Sequence, residues 1–284
     1  MPVSESLEPG LYLVATPIGN LEDITLRAIR VLKQADVIAC EDTRQTQKLL
    51  NHYGIATRTV SYHEHNEASR AAELIRELEK GLRIAVVSDA GMPGISDPGF
   101  RLVSLAIKRG VPVVPIPGPA AFLTALVASG FPTESFSFRG FLPAKSGARR
   151  KELEKILNSG EVQIYYDAPH RIKETLADVA EVLGPNRPVV VARELTKIYE
   201  EFLRGSAEDV AQTLNARGEV KGEITLVIGK AAEGQSAPRG TSIPERVEQI
   251  MREEKLDEKA ALKKVAKERG ISKSAAYRDL QQQK

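Results

Sequence analysis

Short apolar runs alternate with segments of helical spacing along the first part of the chain. The runs are Leu11–Ala15, Val37–Cys40, Thr59–Tyr62, Ile84–Val87 and Val111–Pro115. They are too short and too rich in β-branched residues for helices, and read as buried strands. Between them Thr25 is placed to cap an amphipathic helix over Leu26–Ala35. A second helix runs to about Tyr53 and stops at Gly54, and Asn66 is placed to cap a third, Glu67–Lys80, which Gly81 ends. A fourth, with Asp97 as its expected N-cap, runs to about Arg109. Strands separated by helices of about ten to fifteen residues predict an α/β fold with a parallel sheet and crossover helices.

Pro115-Ile116-Pro117-Gly118-Pro119 is the stiffest stretch and marks a domain boundary, giving a first α/β domain over residues 1–117. The rhythm resumes over 118–232 with more antiparallel character, predicting a second α/β domain with a mixed sheet. Its expected strands are Phe136–Arg139, Val162–Tyr166, Pro188–Ala192, Glu200–Arg204 and Ile224–Ile228. Glu233–Gly240 is a polar linker, and residues 233–284 as a whole read as linker plus helical tail. Within the tail, a helical pattern over Asp257–Arg269 stops at Gly270, and Ser272 opens another helix. That layout is helix-turn-helix-like.

Composition narrows the class. With 42% hydrophobic and 27% charged residues the chain is a globular protein rather than a disordered one. The net charge of +2 shows no global attraction to a polyanion. Locally, Lys259–Arg278 holds seven basic residues against one acidic, a surplus of six that suits phosphate contact. The single cysteine, Cys40, excludes an internal disulfide and fits a reducing cytoplasm. No signal-like start and no apolar run near ~18 residues is present, so no membrane is expected. With no Trp and few aromatics, a broad stacking platform for single-stranded RNA is not evident.

Chemistry gathers where the strands of the first half end: Thr16–Asp23, Glu41–Arg44, His63–Asn66, Ser88–Asp97 and Pro115–Ala121. In a parallel sheet these loops converge on one edge, where ligands bind. The densest is Val86–Gly99, VVSDAGMPGISDPG, in which Asp89 stands at a strand tip beside glycine-rich backbone. Familiar cradles are missing. Thr16-Pro17-Ile18-Gly19-Asn20 is neither a dinucleotide nor a nucleoside-triphosphate loop, and no serine-hydrolase elbow occurs. His63 and His65 point apart if extended, and no cysteine pair completes a set, so no metal is expected.

The segments LYLVATPIGNLEDITLRA, ACEDTR, SYHEHNE, VSDAGMPGISDPG, PIPGPAA, YYDAPHR, ARELTK and KGEITLVIG follow one another from about Leu11 to Lys230. In that order they resemble the tetrapyrrole methylase superfamily, specifically its bacterial branch that 2′-O-methylates a cytidine of 16S ribosomal RNA. The resemblance implies a homodimeric enzyme dependent on S-adenosylmethionine, the donor lying in a cleft between two α/β domains. It places the donor against Thr16, Pro17, Gly19 and Asn20, and against Ser88, Asp89, Ala90 and Gly91 with Ile95 and Ser96 nearby. Further contacts fall at Ala120, Ala121, Tyr166, Arg193 and Ile224. Pro17 and the Ser-Asp-Ala sequence depart from the glycine-richer loops of porphyrinoid-modifying relatives. A carboxylate such as Asp89 suits the donor's α-amino group.

A ribose hydroxyl is a poor nucleophile, so positioning and a nearby base must supply the rate. Base candidates are His65, His63, Glu41, Glu194 and Lys197. Lys197 is preferred, provided its pKa is depressed, with Glu194 and His65 in support. Lys145, Arg149, Arg150 and Lys151 form one expected basic patch, and Arg171 with Lys173 another. With His170-Arg171 as a phosphate contact, these suit the small ribosomal subunit as partner. Two rivals stay open: an enzyme of the same fold acting on a tetrapyrrole or a modified amino acid, and a non-catalytic RNA-binding relic.

Overall fold

The computed structural model describes residues 6–231, 243–268, 276, 277 and 280. By its contacts the chain divides into two compact units. The first ends at Gly130 and also takes in Ala192–Phe202 and Gly222–Thr225; the second holds the remainder.

The first unit is built on β1 (Gly10–Val14), β2 (Val37–Cys40), β3 (Thr59–Ser61), β4 (Arg83–Val87) and β5 (Val113–Ile116). They lie in the order β3-β2-β4-β1-β5, and every neighbouring pair is parallel. Alternate residues therefore serve opposite faces. Tyr12, Val14, Ile38, Cys40, Ala85 and Val87 pack with α1 (Leu26–Gln34) and α2 (Thr43–His52). Leu11, Ala39, Ile84 and Val86 pack with α3 (Glu67–Glu79) and α4 (Phe100–Lys108). Helices thus cover both faces, and all five carboxyl ends share one edge. A short α5 (Ala121–Val127) follows β5.

Two expected helix caps are corrected. Asn66 sits at the N-cap of α3, but its side chain makes no cap bond. Its Oδ1 instead accepts from the His63 N–H at 2.9 Å, holding the 63–66 turn. Helix α4 begins at Phe100 after Gly99, so Asp97 lies too far upstream to cap it. Thr25 does cap α1, accepting from the Ala28 N–H at 3.0 Å.

The second sheet is mixed, in the order β6-β7-β10-β8-β9. Its strands are β6 (Phe136–Phe141), β7 (Val162–Asp167), β8 (Pro188–Arg193), β9 (Glu201–Ser206) and β10 (Ile224–Ile228). Helices α6 (Ser146–Glu154), α7 (Ile172–Leu183) and α8 (Ala207–Asn215) accompany it. Here the expected basic patches are only partly found: Lys145 and Lys151 are exposed, but the others are engaged within the unit. Arg149 is buried, with Nε 2.7 Å from Asp178 Oδ2 and Nη1 3.1 Å from the Ala144 carbonyl. Arg150 bonds the other oxygen of Asp178, also at 2.7 Å. Arg171 bonds Asp167 and the Leu142 carbonyl, and Lys173 donates to the carbonyls of Arg217 and Gly218. Arg149, Arg150, Arg171 and Lys173 thus tie segments of the second unit together.

The tail is helical as expected, with α9 (Ile243–Glu254) ahead of α10 (Glu258–Glu268), which covers much of the Asp257–Arg269 pattern. Ile243, Val247 and Ile250 pack with Ala261, Leu262, Val265, Ala266, Ala276 and Leu280 in an apolar cluster of their own. All of the expected linker and most of the expected Ser272-capped helix lie outside the described residues.

Removing one partner of a buried ion pair strands the other charge away from water, which costs about 3–5 kcal/mol. Asp178→Ala is therefore expected to lower the urea midpoint sharply, whereas Arg149→Met combined with Asp178→Leu recovers much of it. A single Asp178→Ala variant as stable as the parent would contradict the buried pairing.

Candidate functional site

The central strands β1 and β4 deliver two loops that are stitched together just past their ends. Thr16 and Gly91 form an isolated antiparallel bridge, N–H to carbonyl in both directions at 2.9 and 3.0 Å. The buried Thr16 hydroxyl donates to the Ser88 carbonyl at 3.1 Å, and the Ser88 hydroxyl turns back to the Gly91 carbonyl at 3.2 Å. Gly91 takes a φ of +81°, a region that glycine enters without steric penalty. The loop after β5 joins the same edge: a Cβ on Gly118 would stand 2.7 Å from the Ala15 Cβ, so only glycine fits. Ala120 and Ala121 follow directly, at the start of α5. The sequence-expected Thr16, Pro17, Ser88, Asp89, Ala90, Gly91, Ala120 and Ala121 are thus drawn to one sheet edge.

Carboxylates crowd that edge. The exposed Asp89 accepts from the Asp42 backbone N–H at 3.1 Å, which ties the β4 loop to the β2 loop. Arg44 grips Asp42 through both Nε and Nη2 and holds its carboxyl down at about 2. Among the described residues, no ion pair holds Glu41 or Asp97. Burial raises the Glu41 carboxyl, and the charges of Asp89 and Glu64 add to this against a smaller opposing effect of His63. Burial, with the charges of Glu41 and Asp89, pushes Asp97 up to about 6 despite a hydrogen bond from Ser88. The result is an anionic cluster short of positive charge. Asp97 had been assigned only a capping role, and nothing local in the sequence shows that it comes close to Glu41.

His63 and His65 follow β3, their rings edge-to-face with centroids 5.8 Å apart. His65 is exposed, while the Nδ1 of His63 is buried with no hydrogen-bond partner. Ile95 and Ser96 are exposed in the β4 loop, Ser96 at a φ of +61°. Among the described residues, no group of three or more His, Cys, Asp or Glu side chains could hold a metal ion.

A second constellation belongs to the returning segment of the first unit, between β8 and β9. The Asn20 N–H bonds the Thr196 hydroxyl at 3.0 Å. A Cβ on Gly19 would fall 2.5 Å from Lys197 Cγ, so the two loops pass in close contact. Lys197 Nζ sits 2.7 Å from Glu194 Oε1 and 2.9 Å from Glu223 Oε2. Glu194 Oε1 also accepts from the Glu223 N–H at 2.9 Å. Gly222 leaves room for the Glu194 carboxyl, since a Cβ there would meet it at 2.4 Å. Glu194 and Thr196 hold positive φ values of +51° and +66°, sparsely populated for such residues and kept by these bonds.

The depressed pKa expected of Lys197 is not found. Burial opposes its charge, but the hydrogen bonds and charges of Glu194 and Glu223 outweigh burial and hold the ammonium above its ordinary value. Glu194 mirrors it: burial works upward, yet Lys197 and the Glu223 N–H leave its carboxyl below the usual range. The pair is a locked ammonium–carboxylate. Glu223 went unnoticed in sequence because it touches Lys197 only across 26 positions.

Of the other expected contacts, Arg193 bonds Glu201 at 3.2 Å and Ile224 is buried at the start of β10. In the second unit, Tyr166 meets Phe138 and Phe141 edge-on, with centroids 4.9 and 5.4 Å away.

Comparison with known proteins gives a consistent set. The sequence model for Tetrapyrrole (Corrin/Porphyrin) Methylases matches residues 10–211. A ribosomal RNA small subunit methyltransferase I from Halalkalibacterium halodurans is 51% identical over 94% of this chain and 93% of its own. The protein of the same name from Mesorhizobium japonicum is 46% identical over 96% of this chain and 92% of its own. Among solved structures, a uroporphyrin-III C-methyltransferase from Thermus thermophilus, in complex with S-adenosylhomocysteine, superposes with a TM-score of 0.54. It is 21% identical and covers 78% of this chain and 98% of its own, a likeness of fold.

The cluster carries its own test. Asp97 titrates near 6 in the fold against an ordinary value of 3.8. Between those values the folded chain holds the extra proton, so stability falls as pH rises through this window. Above pH 6, Asp97→Asn is expected to raise the unfolding free energy from urea titration by about 1 kcal/mol after allowance for solvent screening. Near pH 4 the gain should vanish; an equal gain at both pH values would show that the charge is not its source.

Proposed function

The chain belongs to the tetrapyrrole methylase family, and from that premise we propose that it is an S-adenosylmethionine-dependent methyltransferase of small-subunit ribosomal RNA. The observation that carries this reading is the cation-deficient carboxylate cluster at the edge where the loops after β1, β4 and β5 meet. A donor carrying an ammonium and a sulfonium relieves the mutual repulsion of Glu41, Asp89 and Asp97. The residues at this edge fit such a group: a carboxylate exposed at Asp89, on loops that Gly91 and Gly118 allow to pack closely together. Thr16, Pro17, Gly19, Asn20, Ser88, Ala90, Ile95, Ser96, Ala120 and Ala121 complete the first unit's proposed donor contacts. Arg193, Tyr166 and Ile224 are carried from the family resemblance. When bound, S-adenosylmethionine supplies an electrophilic methyl group. The relatives' names favour ribosomal RNA over a tetrapyrrole as acceptor.

The finer assignment is a cytidine ribose 2′-hydroxyl of 16S ribosomal RNA. Its proton must leave as its oxygen gains a bond to carbon, and the locked pair provides a route. Lys197 Nζ first gives a proton to Glu194 Oε1, 2.7 Å away, and the amine so formed takes the hydroxyl proton as the oxygen bonds to the methyl carbon. The lysine ends as an ammonium again, and the proton lost by the ribose is balanced by the carboxyl formed on Glu194. Glu223 keeps the ammonium in place. His65, exposed beside His63, is a substrate contact in this scheme.

No helix among the described residues is long and apolar enough to cross a membrane. The enzyme is read as cytoplasmic and homodimeric. Exposed Phe100 and Ile107 on α4, with Leu123 and Val127 on α5, are apolar surface that a second copy would cover.

Nucleoside mass spectrometry of ribosomal RNA from a deletion strain should show the loss of one 2′-O-methylcytidine, restored by the wild-type gene; intact methylation would overturn the assignment. Asp89→Asn is expected to weaken donor binding about tenfold, the effect of one charge-assisted contact. Calorimetry with S-adenosylmethionine reads this directly, and unchanged affinity would remove Asp89 from the site. Lys197→Arg keeps the charge but cannot relay a proton, so single-turnover rates should fall about 10²-fold or more with donor affinity preserved. A rate close to wild type would rule the relay out.

A further inference from the structure

Beside the Lys197 lock, the same loop presents two large apolar side chains to water. Ile198 is 94% exposed and Tyr199 73% exposed. Isolated exposed apolar residues are ordinary, but these two are adjacent and stand on backbone that is held hard. Glu194 and Thr196 are fixed at positive φ. The Thr196 N–H donates to Glu200 Oε2 at 2.6 Å, and the Glu200 N–H to the Lys197 carbonyl at 3.0 Å, closing the turn across Ile198 and Tyr199. Lys197 is pinned by two carboxylates, and Thr196 is bonded to Asn20 in the loop after β1. A turn this constrained keeps its tip in one place. Contacts made from it lose little conformational entropy on binding.

We infer that Tyr199, with Ile198 beside it, is the stacking contact for an unpaired base of the ribosomal RNA next to the nucleotide being methylated. The inference rests on the function proposed above. Enzymes that select a nucleotide in RNA take unstacked bases onto aromatic side chains, because every base offers a π face and a ribose alone carries no sequence. Tyr199 lies two positions from the group that handles the hydroxyl proton, so a base stacked there would help register the ribose against Lys197. The phenol ring supplies the stacking face and Ile198 an apolar edge that excludes water. Arg149 and Arg171, two of the basic residues expected to grip RNA in the second unit, are drawn into it, which increases the share of recognition that falls to this tip.

The test uses the full-length protein, S-adenosylmethionine and small ribosomal subunits from a strain lacking the modification. Tyr199→Ala is expected to lower kcat/KM for the subunit about tenfold or more, mainly through KM, the usual effect of losing one stacked base. Tyr199→Phe should stay near wild type because the ring is kept, and donor affinity should be unchanged in both. Tyr199→Trp gives the chain its only tryptophan, whose emission should be quenched when subunits are added. Full kcat/KM in Tyr199→Ala, or unquenched emission from an active Tyr199→Trp, overturns the inference. So does a parallel loss of donor affinity, which marks a structural role, or a fall in sedimenting mass, which shows that a second copy covers the tip. Wild-type protein that methylates no ribosomal particle overturns the proposed function and this inference together; an active wild type with an equally active Tyr199→Ala overturns this inference alone.

Discussion

The backbone bridge between Thr16 and Gly91 is the constraint on which the strand-tip edge of the first sheet depends. Adjacent parallel strands end side by side, but nothing in parallel pairing keeps their outgoing loops together once the ladder stops. Two reciprocal hydrogen bonds do so here, backed by the buried hydroxyls of Thr16 and Ser88. Asp89, between Ser88 and Gly91, is then held at a defined height above the sheet and can reach the Asp42 N–H. The loops after β1, β2 and β4 become one surface. Gly118 adds the loop after β5 by lying against Ala15, closer than any side chain allows.

Such an edge is electrostatically unfavourable when empty. Glu41 and Asp97 are raised by burial and by neighbouring charge. Arg44 neutralises Asp42, and among the described residues no ion pair does the same for Glu41, Asp89 or Asp97. Retained negative charge of this kind is the feature on which the proposed donor site rests. The strained backbone at Glu194 and Thr196 is a comparable concession, fixed by the ion pairs around Lys197.

The two constellations hold opposite electrostatic states. At Glu41 and Asp97, protons are held more tightly than usual. At Lys197 and Glu194, both groups are pushed further into their ionised forms. A lysine in that condition is a poor free base but a good conductor of a proton to a neighbour already hydrogen-bonded to it. The chemistry assigned to Lys197 thus follows from its partners rather than from its residue type.

The strands, the crossover helices and the concentration of chemistry at strand tips were legible in the chain. Burial and helical spacing are local patterns, written in residues a few positions apart. The motif order likewise pointed to the family. Local patterns could not say which charges stay in water. Arg149 was read as surface, yet Asp178, 29 positions away, draws it into the interior. Lys197 was expected to lose its proton, and Glu223, 26 positions away, secures it. Asn66 and Asp97 looked like caps because capping is judged from neighbours in sequence. Their roles are set by where the 63–66 turn closes and where α4 begins. Propensity and periodicity are properties of the chain, whereas the partner of a charge is decided only when distant segments meet, and that was left to the tertiary structure.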